Sequence, residues 1–568
     1  MGDIRLAGRN YGVYIIAIAG LGGLLYGIDL GIIAAALPYL DSVIHLTVEQ
    51  SSIIVAAVLG GSVISSLVGG LLADWLGRRK MIIASGFLFV ASIVLILISH
   101  GFLLLFFGRM LQGLSCGIIG LVIPLYLAEC LSPRSRGKGT AIFQFMLTFG
   151  IVLAAVVGWF YTGQAQAAIT RAAGSAILIR DAQNHAWRSM FLATIYPGLI
   201  FFVGSLYMIE TPRWLLRKGR PADSMAALRR FSPPDEAELQ MREMAAITLE
   251  DRKKKSEQSG GSLLRRKYAI PFVLACTILA CNQATGINSI LGFLVVILKQ
   301  AGMSPVHATL GDVIVKVLNC VMTIVAIALV DKKGRKFLLK IGTGGVVLSL
   351  LGCAILFHVF ESRRTDVRVE VQQAIRGNKL MLPLHEIGLR QSTSGRPMSL
   401  TVLYSYGSGD KVATVVSSEN SAILNIVPGA RETTSPLVIK RALLGPIPTR
   451  ETGWLVTACL GLFISFYSVG PGVVVWLTLS ELMPTRIRST GMGIALLLNS
   501  GVSTLIAALF LPVVGNYGFY AMFLFWAACT LVYFLTATFF LPETKGKTLE
   551  EIEAYFENRS LSTLTQTS

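Results

Sequence analysis

The chain has 568 residues, of which 53% are hydrophobic and only 14% charged, and its mean hydropathy is +0.65. This apolar content far exceeds what one water-soluble core needs, so the composition excludes an ordinary soluble protein and indicates a membrane protein. The formal net charge of +18 does not indicate a nucleic-acid partner, because Lys and Arg collect in alternate short loops, as they do in membrane proteins.

Apolar stretches of about 20 residues, the length that crosses a bilayer core as a helix, recur along nearly the whole chain. They predict about twelve transmembrane helices, over residues 13–40, 52–74, 81–99, 103–130, 139–161, 189–209, 269–299, 307–330, 337–360, 453–483, 489–514 and 518–541.

Clusters of basic residues fall on one side of the membrane when these helices are drawn in order, and we expect that side to be cytoplasmic. The clusters lie at 77–80, 134–138, 213–267, 331–336 and 486–488. The expected location is therefore the cell membrane, with many passes and both termini cytoplasmic. Loops on the other face are expected to be short or poor in charge, apart from 162–188 and 361–452.

An internal repeat divides the helices into two halves. The segment Asp74–Lys80 after the second helix carries a Gly-Arg-Arg-Lys motif, which returns as Gly-Arg-Lys in Asp331–Lys336 after the eighth. A second echo is an acidic residue seven positions before an arginine at the end of the fourth helix of each half, Glu129 before Arg136 and Glu481 before Arg488. The predicted fold class is an all-α polytopic membrane protein with two pseudo-symmetric six-helix halves.

The second half carries roughly 95 extra residues between its second and fourth helices, and they must lie between helices nine and ten. This segment is polar, with alternating runs at Leu400–Tyr406 and Val412–Val416 and turn formers at Gly407–Asp410. It is predicted to form a small extracytoplasmic, β-rich insertion, and a disordered loop is the alternative.

The predicted domains follow from this plan. They are an N-terminal six-helix bundle at 1–211, a cytoplasmic linker with short helices at 212–268, a C-terminal bundle at 269–360 and 453–541, the insertion at 361–452, and a cytoplasmic tail at 542–568. The linker is either a solvated connection or a latch that packs under both bundles in one conformation.

An ordered set of short motifs resembles the sugar porters of the major facilitator superfamily. The motifs are Gly77–Lys80, Pro124–Glu129 with Arg136 and Gly137, Glu210–Trp214, Gly286–Asn288, Gly470–Gly472 with Trp476, Ser480 with Glu481, and Pro542–Gly546. The resemblance covers nearly all of the membrane part and implies the major facilitator fold and transport by alternating access. The insertion at 361–452 has no place in the family pattern.

An ionisable residue at bilayer depth costs at least about 2.5–3.5 kcal/mol on insertion scales, so it needs a partner or a function. Asp29 in the first helix and Arg109 in the fourth are predicted to lie at similar depth. A nearby guanidinium changes how readily a buried carboxyl binds a proton, so the pair is a candidate proton switch. The resemblance implies that Asp29 carries the proton and Arg109 modulates it. A static ion pair is the alternative.

Further charged residues lie at the cytoplasmic rim and are assigned to a gate. The proposed pairs are Asp74 with Arg78, Glu129 with Arg136, Asp331 with Arg335, and Glu481 with Arg488. Carboxylate–guanidinium pairs between helix ends can hold one side closed in one state and separate in the other. Purely topological positive charge is the alternative for the arginines, but it does not account for the acidic residues.

A polar run with a glycine, at 282–288, interrupts the seventh helix. Such a break is tolerated where it lines a water-filled cavity, and amides suit a ligand covered with hydroxyl groups because they both donate and accept. Gln283, Asn288 and Asn282 are therefore predicted substrate contacts, and in the family this position contacts sugar. Hydrogen bonding between helices alone is the alternative.

Trp476 follows the flexible Gly470–Gly472 segment of the tenth helix, and its indole suits stacking on a sugar. The resemblance adds Asn319 and Asn499 as polar contacts. A tryptophan at the lipid interface is the alternative, although position 476 lies well inside the helix.

Three positions depart from the family pattern and leave fewer polar and aromatic contacts for a hexose. Ile151 stands in place of a glutamine, Gly292 in place of an aromatic residue, and Ser500 in place of a tryptophan. Lys316 is an addition in the middle of the eighth helix. It is either a contact for an anion or the partner of Asp312, one turn earlier.

The sequence thus predicts secondary active transport of a monosaccharide, with proton symport. One proton moving through 100 mV gains roughly 2.3 kcal/mol, enough for a concentration ratio of several tens. No enzyme motif or metal-binding cluster is evident, so neither enzyme activity nor a cofactor is expected, the proton gradient being the energy source. The alternatives are transport of a sugar acid or other organic anion, sugar uniport, and sugar sensing without transport. A monomer is expected.

Overall fold

The computed structural model describes residues 2–131, 133–231, 234–257, 266–383, 398–407, 409–416, 423–428, 435–483, 488–543, 545, 551 and 555–556. Side chains are described for a smaller set, which leaves out the predicted gate residues Arg136, Asp331, Glu481 and Arg488. Within this part of the chain, twelve helices are long and apolar enough to cross a membrane. This number agrees with the apolar pattern.

The N-terminal half consists of six long helices. They are α1 (Gly2–Ile44), α2 (Val48–Leu76), α3 (Arg78–Leu97), α4 (Phe102–Cys130), α5 (Pro133–Arg171) and α6 (Ala176–Leu206). Helix α1 packs closely on α5, and glycines in α1 make that approach possible. A Cβ atom on Gly27 would overlap the Leu147 carbonyl group, and one on Gly31 would crowd Ala154.

The sequence predicts a loop at 162–188, and this expectation is wrong. Helix α5 continues to Arg171, α6 begins at Ala176, and only a tight turn separates them. Alanine-rich sequence here favours the helix, although it is too polar to be counted as a bilayer-spanning stretch. Both helices therefore extend beyond the expected membrane boundary.

Two short helices follow the N-terminal half, α7 (Pro212–Arg217) and α8 (Pro221–Phe231), and then a longer one, α9 (Pro234–Glu257). Helix α8 packs under the N-terminal half, with Leu228 buried and the ring of Phe231 5.4 Å from that of Tyr11. The beginning of the linker is therefore attached to this half.

The C-terminal half repeats the six-helix plan with two interruptions. Before the inserted module it contains α10 (Arg266–Ala284), α11 (Ile287–Gln300), α12 (Pro305–Lys333) and α13 (Arg335–Glu361). The module itself contains the short helix α14 (Arg368–Gln373). After the module come α15 (Arg450–Tyr467), α16 (Val473–Leu482), α17 (Arg488–Tyr517) and α18 (Phe519–Leu535). The seventh span breaks between α10 and α11 at Gly286, whose φ of 81° is left-handed. A five-residue π-helix at Ser468–Gly472, which we call the π-turn, separates α15 from α16.

The described residues of the inserted module include six strands, in keeping with its alternating sequence. They are β1 (Thr365–Asp366), β2 (Leu380–Pro383), β3 (Met398–Ser405), β4 (Asp410–Val416), β5 (Ile423–Ile426) and β6 (Val438–Pro446). One antiparallel sheet has the order β1-β6-β3-β4, and β2 pairs with β5 in a second. Leu400, Val402, Ile439 and Leu444 lie in the module's own core.

The module is fixed to the C-terminal half by hydrogen bonds at its base. Arg441 Nη1 of β6 donates to the carbonyl oxygens of Gly515 and Asn516 at the end of α17, both at 3.0 Å. Within the bundle itself, Glu361 at the end of α13, just before the module, accepts from the backbone N–H groups of Phe519 and Tyr520, which begin α18. We call this end of the helices the module end, and the opposite end, which carries Gly77 and Gly334, the motif end.

The two halves meet on the module side. Helix α2 packs against α17, and α5 packs against α12. The Leu511 N–H donates to Ser52 Oγ at 3.0 Å, and Thr148 Oγ1 lies 3.6 Å from Cys320 Sγ deeper in the interface. The module also touches the N-terminal half, because Gly409 packs against Thr47, the residue that caps α2.

Candidate functional site

Asp29 and Arg109 meet inside the N-terminal half. Arg109 Nη1 of α4 lies 2.8 Å from Asp29 Oδ1 of α1, and the two side chains are 1% and 0% exposed. Arg109 also donates to Gln112 Oε1 at 2.7 Å, and its guanidinium faces the Phe191 ring. The predicted pair is therefore fully buried and held by two helices.

The Asp29 carboxyl group retains capacity for a proton. Its Oδ2 atom has no nitrogen or oxygen donor within hydrogen-bond distance among the described residues, although the Cys116 thiol lies beside the carboxyl group. Arg109 Nε and Gln112 Nε2 are likewise buried and unpartnered within the described part of the chain. Open polar atoms on both sides of the pair suit a site that exchanges a proton or water.

Three amide side chains form a cluster at the break in the seventh span. Gln283 Nε2 donates to Asn499 Oδ1 at 3.1 Å, and Asn288 Nδ2 donates to Gln283 Oε1 at 2.9 Å. Asn288 Nδ2 also donates to Ser503 Oγ of α17 at 2.7 Å. The Asn499 amide nitrogen and the Asn288 carbonyl oxygen take no part in these bonds, so the cluster retains a donor and an acceptor for a hydroxyl-bearing ligand.

Gly286 is what brings these amides together. Its left-handed backbone turns the chain between Gln283 and Asn288, and the Trp526 ring lies where a Cβ atom would be. Trp526 is fully buried and stacks on Phe510, with ring centroids 5.6 Å apart. The break is therefore supported by aromatic packing from α18 and α17.

The other predicted contacts have no described hydrogen bond to this cluster. Asn282 is buried, and its Oδ1 atom has no hydrogen-bond partner among the described residues. Asn319 Oδ1 of α12 accepts a 2.7 Å hydrogen bond from Ser468 Oγ in the π-turn. Trp476 of α16 is 41% exposed, and no contact places it with the amide cluster. The structure thus unites Gln283, Asn288 and Asn499, and the remaining three residues are not joined to them by a described hydrogen bond.

One of the family departures has a packing explanation. A Cβ atom on Gly292 would lie 2.9 Å from Val55 Cγ1 across the interface, so this face of α11 has no space for an aromatic side chain here. Ile151 is buried, and its backbone lies against Gly31 of α1, a contact that does not depend on the side chain. Nothing in the structure explains the side chains of Ile151 and Ser500.

Lys316 lies fully buried between the halves. Its Nζ is 2.7 Å from Asp312 Oδ2 and 3.0 Å from the Gly31 carbonyl oxygen of α1. The ammonium group thus has a counter-ion on its own helix and an acceptor on the other half. An anionic ligand would have to displace one of them.

The charged residues at the motif end form a network within the N-terminal half. Arg78 Nη2 lies 2.9 Å from Asp74 Oδ1 and 3.0 Å from Glu129 Oε1. Thr211 Oγ1 donates to Glu129 Oε2 at 2.5 Å. The network joins α2, α3, α4 and the start of the linker. The side chains of Arg136, Asp331, Glu481 and Arg488 lie outside the described residues, so their part of the predicted gate stays a prediction.

Arg335 repeats the position of Arg78 in the second half. Arg78 Nη1 donates to the carbonyl oxygen of Ala73 at 2.9 Å, and Arg335 Nη1 lies 3.5 Å from that of Val330, each five residues back. The Gly-Arg motifs therefore adopt one local geometry in both halves.

Two glutamates that we did not assign to the site cap these same motifs. Glu210 accepts hydrogen bonds from the backbone N–H groups of Arg78 and Arg79, and Glu543 accepts from those of Arg335 and Lys336. Carboxylates stabilise helix N-termini because the free N–H groups carry partial positive charge. Burial raises the pKa of Glu210, against the lowering effect of these hydrogen bonds. The sequence could have indicated both glutamates, because a Glu-Thr pair follows the last helix of each half.

Known proteins resemble the chain over nearly all of its length. The glucose transporter GlcP of Staphylococcus epidermidis is 28% identical, over 96% of this chain and 98% of the relative. The proton myo-inositol cotransporter hmit-1.1 of Caenorhabditis elegans is 28% identical, over 96% of this chain and 90% of the relative. The probable metabolite transport protein CsbC of Bacillus subtilis is 26% identical, over 97% and 95%.

The fold matches solved structures of a transporter. The inward open conformation of the xylose transporter XylE from E. coli superimposes with a TM-score of 0.66 at 21% identity, covering 96% of this chain and all of that one. The match confirms the predicted two-half membrane fold. Residues 378–436, the central part of the inserted module, lie outside the family match described next.

Residues 15–377 and 437–556 match the family described as Sugar (and other) transporter. This match covers most of the membrane part, and with the XylE fold it confirms the predicted family, a transporter rather than an enzyme. The chain therefore belongs to the sugar porters of the major facilitator superfamily.

Proposed function

We propose that this membrane transporter moves a monosaccharide by alternating access, together with protons. The observation that carries the proposal is the fully buried Asp29–Arg109 pair, at 2.8 Å between α1 and α4. A carboxyl group in this setting changes its proton affinity when the guanidinium moves or water enters, which makes proton binding depend on conformation. Asp29 Oδ2 has no oxygen or nitrogen partner in the described residues, and only the Cys116 thiol is noted beside the carboxyl group, so this oxygen is available to a proton.

The amide cluster in the C-terminal half supports a neutral, hydroxyl-rich substrate. Gln283, Asn288 and Asn499 offer donors and acceptors without charge. Lys316 already has Asp312 and the Gly31 carbonyl group as partners, which favours a sugar over an organic anion. The names of the relatives are consistent with this class, because glucose and myo-inositol are both polyhydroxylated.

The proposed orientation places the motif end in the cytoplasm. Its support is the positive charge of the loops at that end, which include Arg78–Lys80 and Lys332–Lys336. The inserted module then faces outward. Contacts between the halves on the module side correspond to a state closed to the outside.

Reconstitution into proteoliposomes tests the proposal. Uptake of radiolabelled glucose, xylose, myo-inositol and glucuronate is measured with and without an imposed inward proton gradient. We expect gradient-driven accumulation of at least one neutral sugar, with substrate-induced proton uptake reported by an internal dye. Equilibration without accumulation would indicate uniport, glucuronate uptake alone an anion transporter, and binding without counterflow a sensor. Each of these three results contradicts the proposal.

A further inference from the structure

The buried ion pair Asp312–Lys316 has no part in the proposed function. The two residues lie one turn apart on α12 at mid-span, and their side chains are 1% and 0% exposed. Taking two charges out of water is expensive, and such pairs are often no more stabilising than apolar residues of similar size. A role in stability alone is therefore a weak explanation for it.

Lys316 lies in the contact between the two halves. Its Nζ donates to the Gly31 carbonyl oxygen of α1 at 3.0 Å. One turn further along α12, Cys320 contacts Thr148 of α5. The hydrogen bond from Lys316 thus belongs to a continuous stretch of contact between α12 and the N-terminal half.

The two partners of Lys316 differ in what happens to them during alternating access. Gly31 belongs to the other half, so its bond to Lys316 is lost when the halves separate on the module side. Asp312 lies on the same helix and moves with Lys316. It keeps the ammonium group paired after Gly31 moves away, which avoids leaving a lone buried charge.

We propose that Lys316, held by Asp312, is a positioning residue of the transport cycle that stabilises the state closed at the module end. It does so through the Gly31 carbonyl group, with a charge-assisted hydrogen bond. Gly31 is two residues from Asp29 on α1, so the same bond holds the helix of the proton site against the substrate half in this state. The inference rests on the proposed function, because an alternating-access protein must make and break this contact.

The test compares the conformational equilibrium of the wild type with that of Asp312→Leu/Lys316→Met. This double variant removes the pair, keeps similar side-chain volume and leaves no unpaired buried charge. Spin labels are placed on His100 and Tyr517, one on each half at the module end, after replacement of the eight native cysteines. Their distance distribution is measured in nanodiscs by pulsed electron spin resonance, without substrate or proton gradient.

We expect the ratio of long to short distances to rise about tenfold in the double variant, because a charge-assisted bond specific to the closed state is lost. Thr309→Val is the matched control. Thr309 is buried one turn before Asp312, but its hydroxyl group bonds within α12, so its loss should leave the distribution unchanged. An unchanged distribution in the double variant, or an equal shift in the control, overturns the proposal.

A second variant, Asp312→Asn/Lys316→Gln, guards against misfolding of the apolar one. It keeps an amide pair and a neutral donor for Gly31, so we expect a smaller shift in the same direction, about threefold. Wild-type distances in this folded variant, when the apolar variant fails to fold, also overturn the proposal. Because no transport is measured, a failure of sugar transport and a failure of this inference give different results.

Discussion

The first and fourth helices of the two halves occupy equivalent places but differ in continuity. In the N-terminal half, α1 runs unbroken through Asp29, and α4 runs unbroken through Arg109. In the C-terminal half, the equivalent helices are interrupted, at Gly286 and at the π-turn Ser468–Gly472. Between the unbroken helices lies an ion pair, and beside the interruptions lie amides.

Under the proposed function, this difference separates two chemical tasks between the halves, binding of a proton and binding of a sugar. An ion pair needs fixed geometry, because a buried charge is tolerated only next to its partner, and continuous helices supply that rigidity. A polyhydroxylated ligand needs several donors and acceptors at varied angles, which irregular backbone around a cavity supplies. The two halves share one backbone plan, including the glutamate caps of α3 and α13, and differ in the side chains placed on it.

The largest effect is expected for Asp29→Asn. The substitution keeps size and hydrogen bonding but removes the titrating group, so gradient-driven accumulation should fall from several tens of fold to none, while sugar exchange continues. Proteoliposome uptake and counterflow measure the two activities. Asp41→Asn, the same change about 18 Å away on α1 at 1.5 Å per residue, is the control. Undiminished accumulation in Asp29→Asn would remove the proton site from the N-terminal half.

Gly286→Ala tests whether the interruption in the C-terminal half is obligatory. Alanine is strained at a φ of 81°, and its Cβ atom would overlap the Trp526 ring. We expect a loss of about 3 kcal/mol in stability, seen as a lower melting temperature in detergent. Gly501→Ala is the matched control, since that glycine lies in helix α17 with nothing within 4 Å of the added atom. Equal melting of both variants would contradict the role of Gly286.

Gln283→Leu probes the substrate half. The substitution deletes two hydrogen bonds in the amide cluster and leaves the proton pair untouched. We expect KM for the transported sugar to rise about tenfold, with accumulation still driven by the proton gradient. Thr285→Val serves for comparison, because the bond described for Thr285 Oγ1 is a local one, to the Asn282 carbonyl group three residues earlier. A change in proton coupling with an unchanged KM would contradict the assignment of sugar binding to the C-terminal half.

The smallest effect concerns the motif end and its pH dependence. Burial raises the pKa of Glu210 above its ordinary value. The stability contributed by this group is therefore fully present below the ordinary value of about 4.5 and is lost as the pH rises through the raised pKa. The glutamine in Glu210→Gln does not titrate, so the variant does not lose this contribution as the pH rises. We therefore expect its melting temperature to rise relative to that of the wild type between pH 4.5 and pH 7.

The exposed linker residue Glu236 offers a matched change for this last experiment. Glu236→Gln should keep the wild-type profile in the same melting series, since the side chain is exposed. A Glu210→Gln profile that ran parallel to the wild type would show that the cap does not titrate in this range.

Counting residues along the predicted helices was enough to predict the depth of Asp29 and Arg109 in the membrane. It was not enough to predict which side chains contact each other. Depth followed from the rise per residue, and Asp29 and Arg109 do meet at one level. Rotation about the helix axis depends on packing, which a single sequence does not contain. The meeting of Lys316 with Gly31 depends on how two halves dock, so the sequence offered only the in-helix partner Asp312.

Side chains that support the site were harder to predict than those that form it. The polar run in the seventh helix indicated Gln283 and Asn288, because amide side chains that face lipid are costly and are therefore expected to face a cavity or a partner. Trp526 gave no such signal, since an aromatic residue in an apolar helix is ordinary. Its place against Gly286 is visible only once α18 is packed. The structure of the 162–188 region was also predicted wrongly. Its polar residues were interpreted as a loop, whereas α5 and α6 continue through most of it.

The inserted module has a practical consequence for imaging. Sheets with open edges cannot reside in lipid, so the strands from Thr365 to Pro446 project beyond the detergent or lipid belt. Because Arg441 of β6 bonds to the end of α17 and the module follows α13 directly in the chain, the module is a built-in fiducial attached to the C-terminal bundle. Single-particle microscopy of so small a transporter, normally limited by featureless micelles, can align on this projection and read the tilt of the opposite bundle directly.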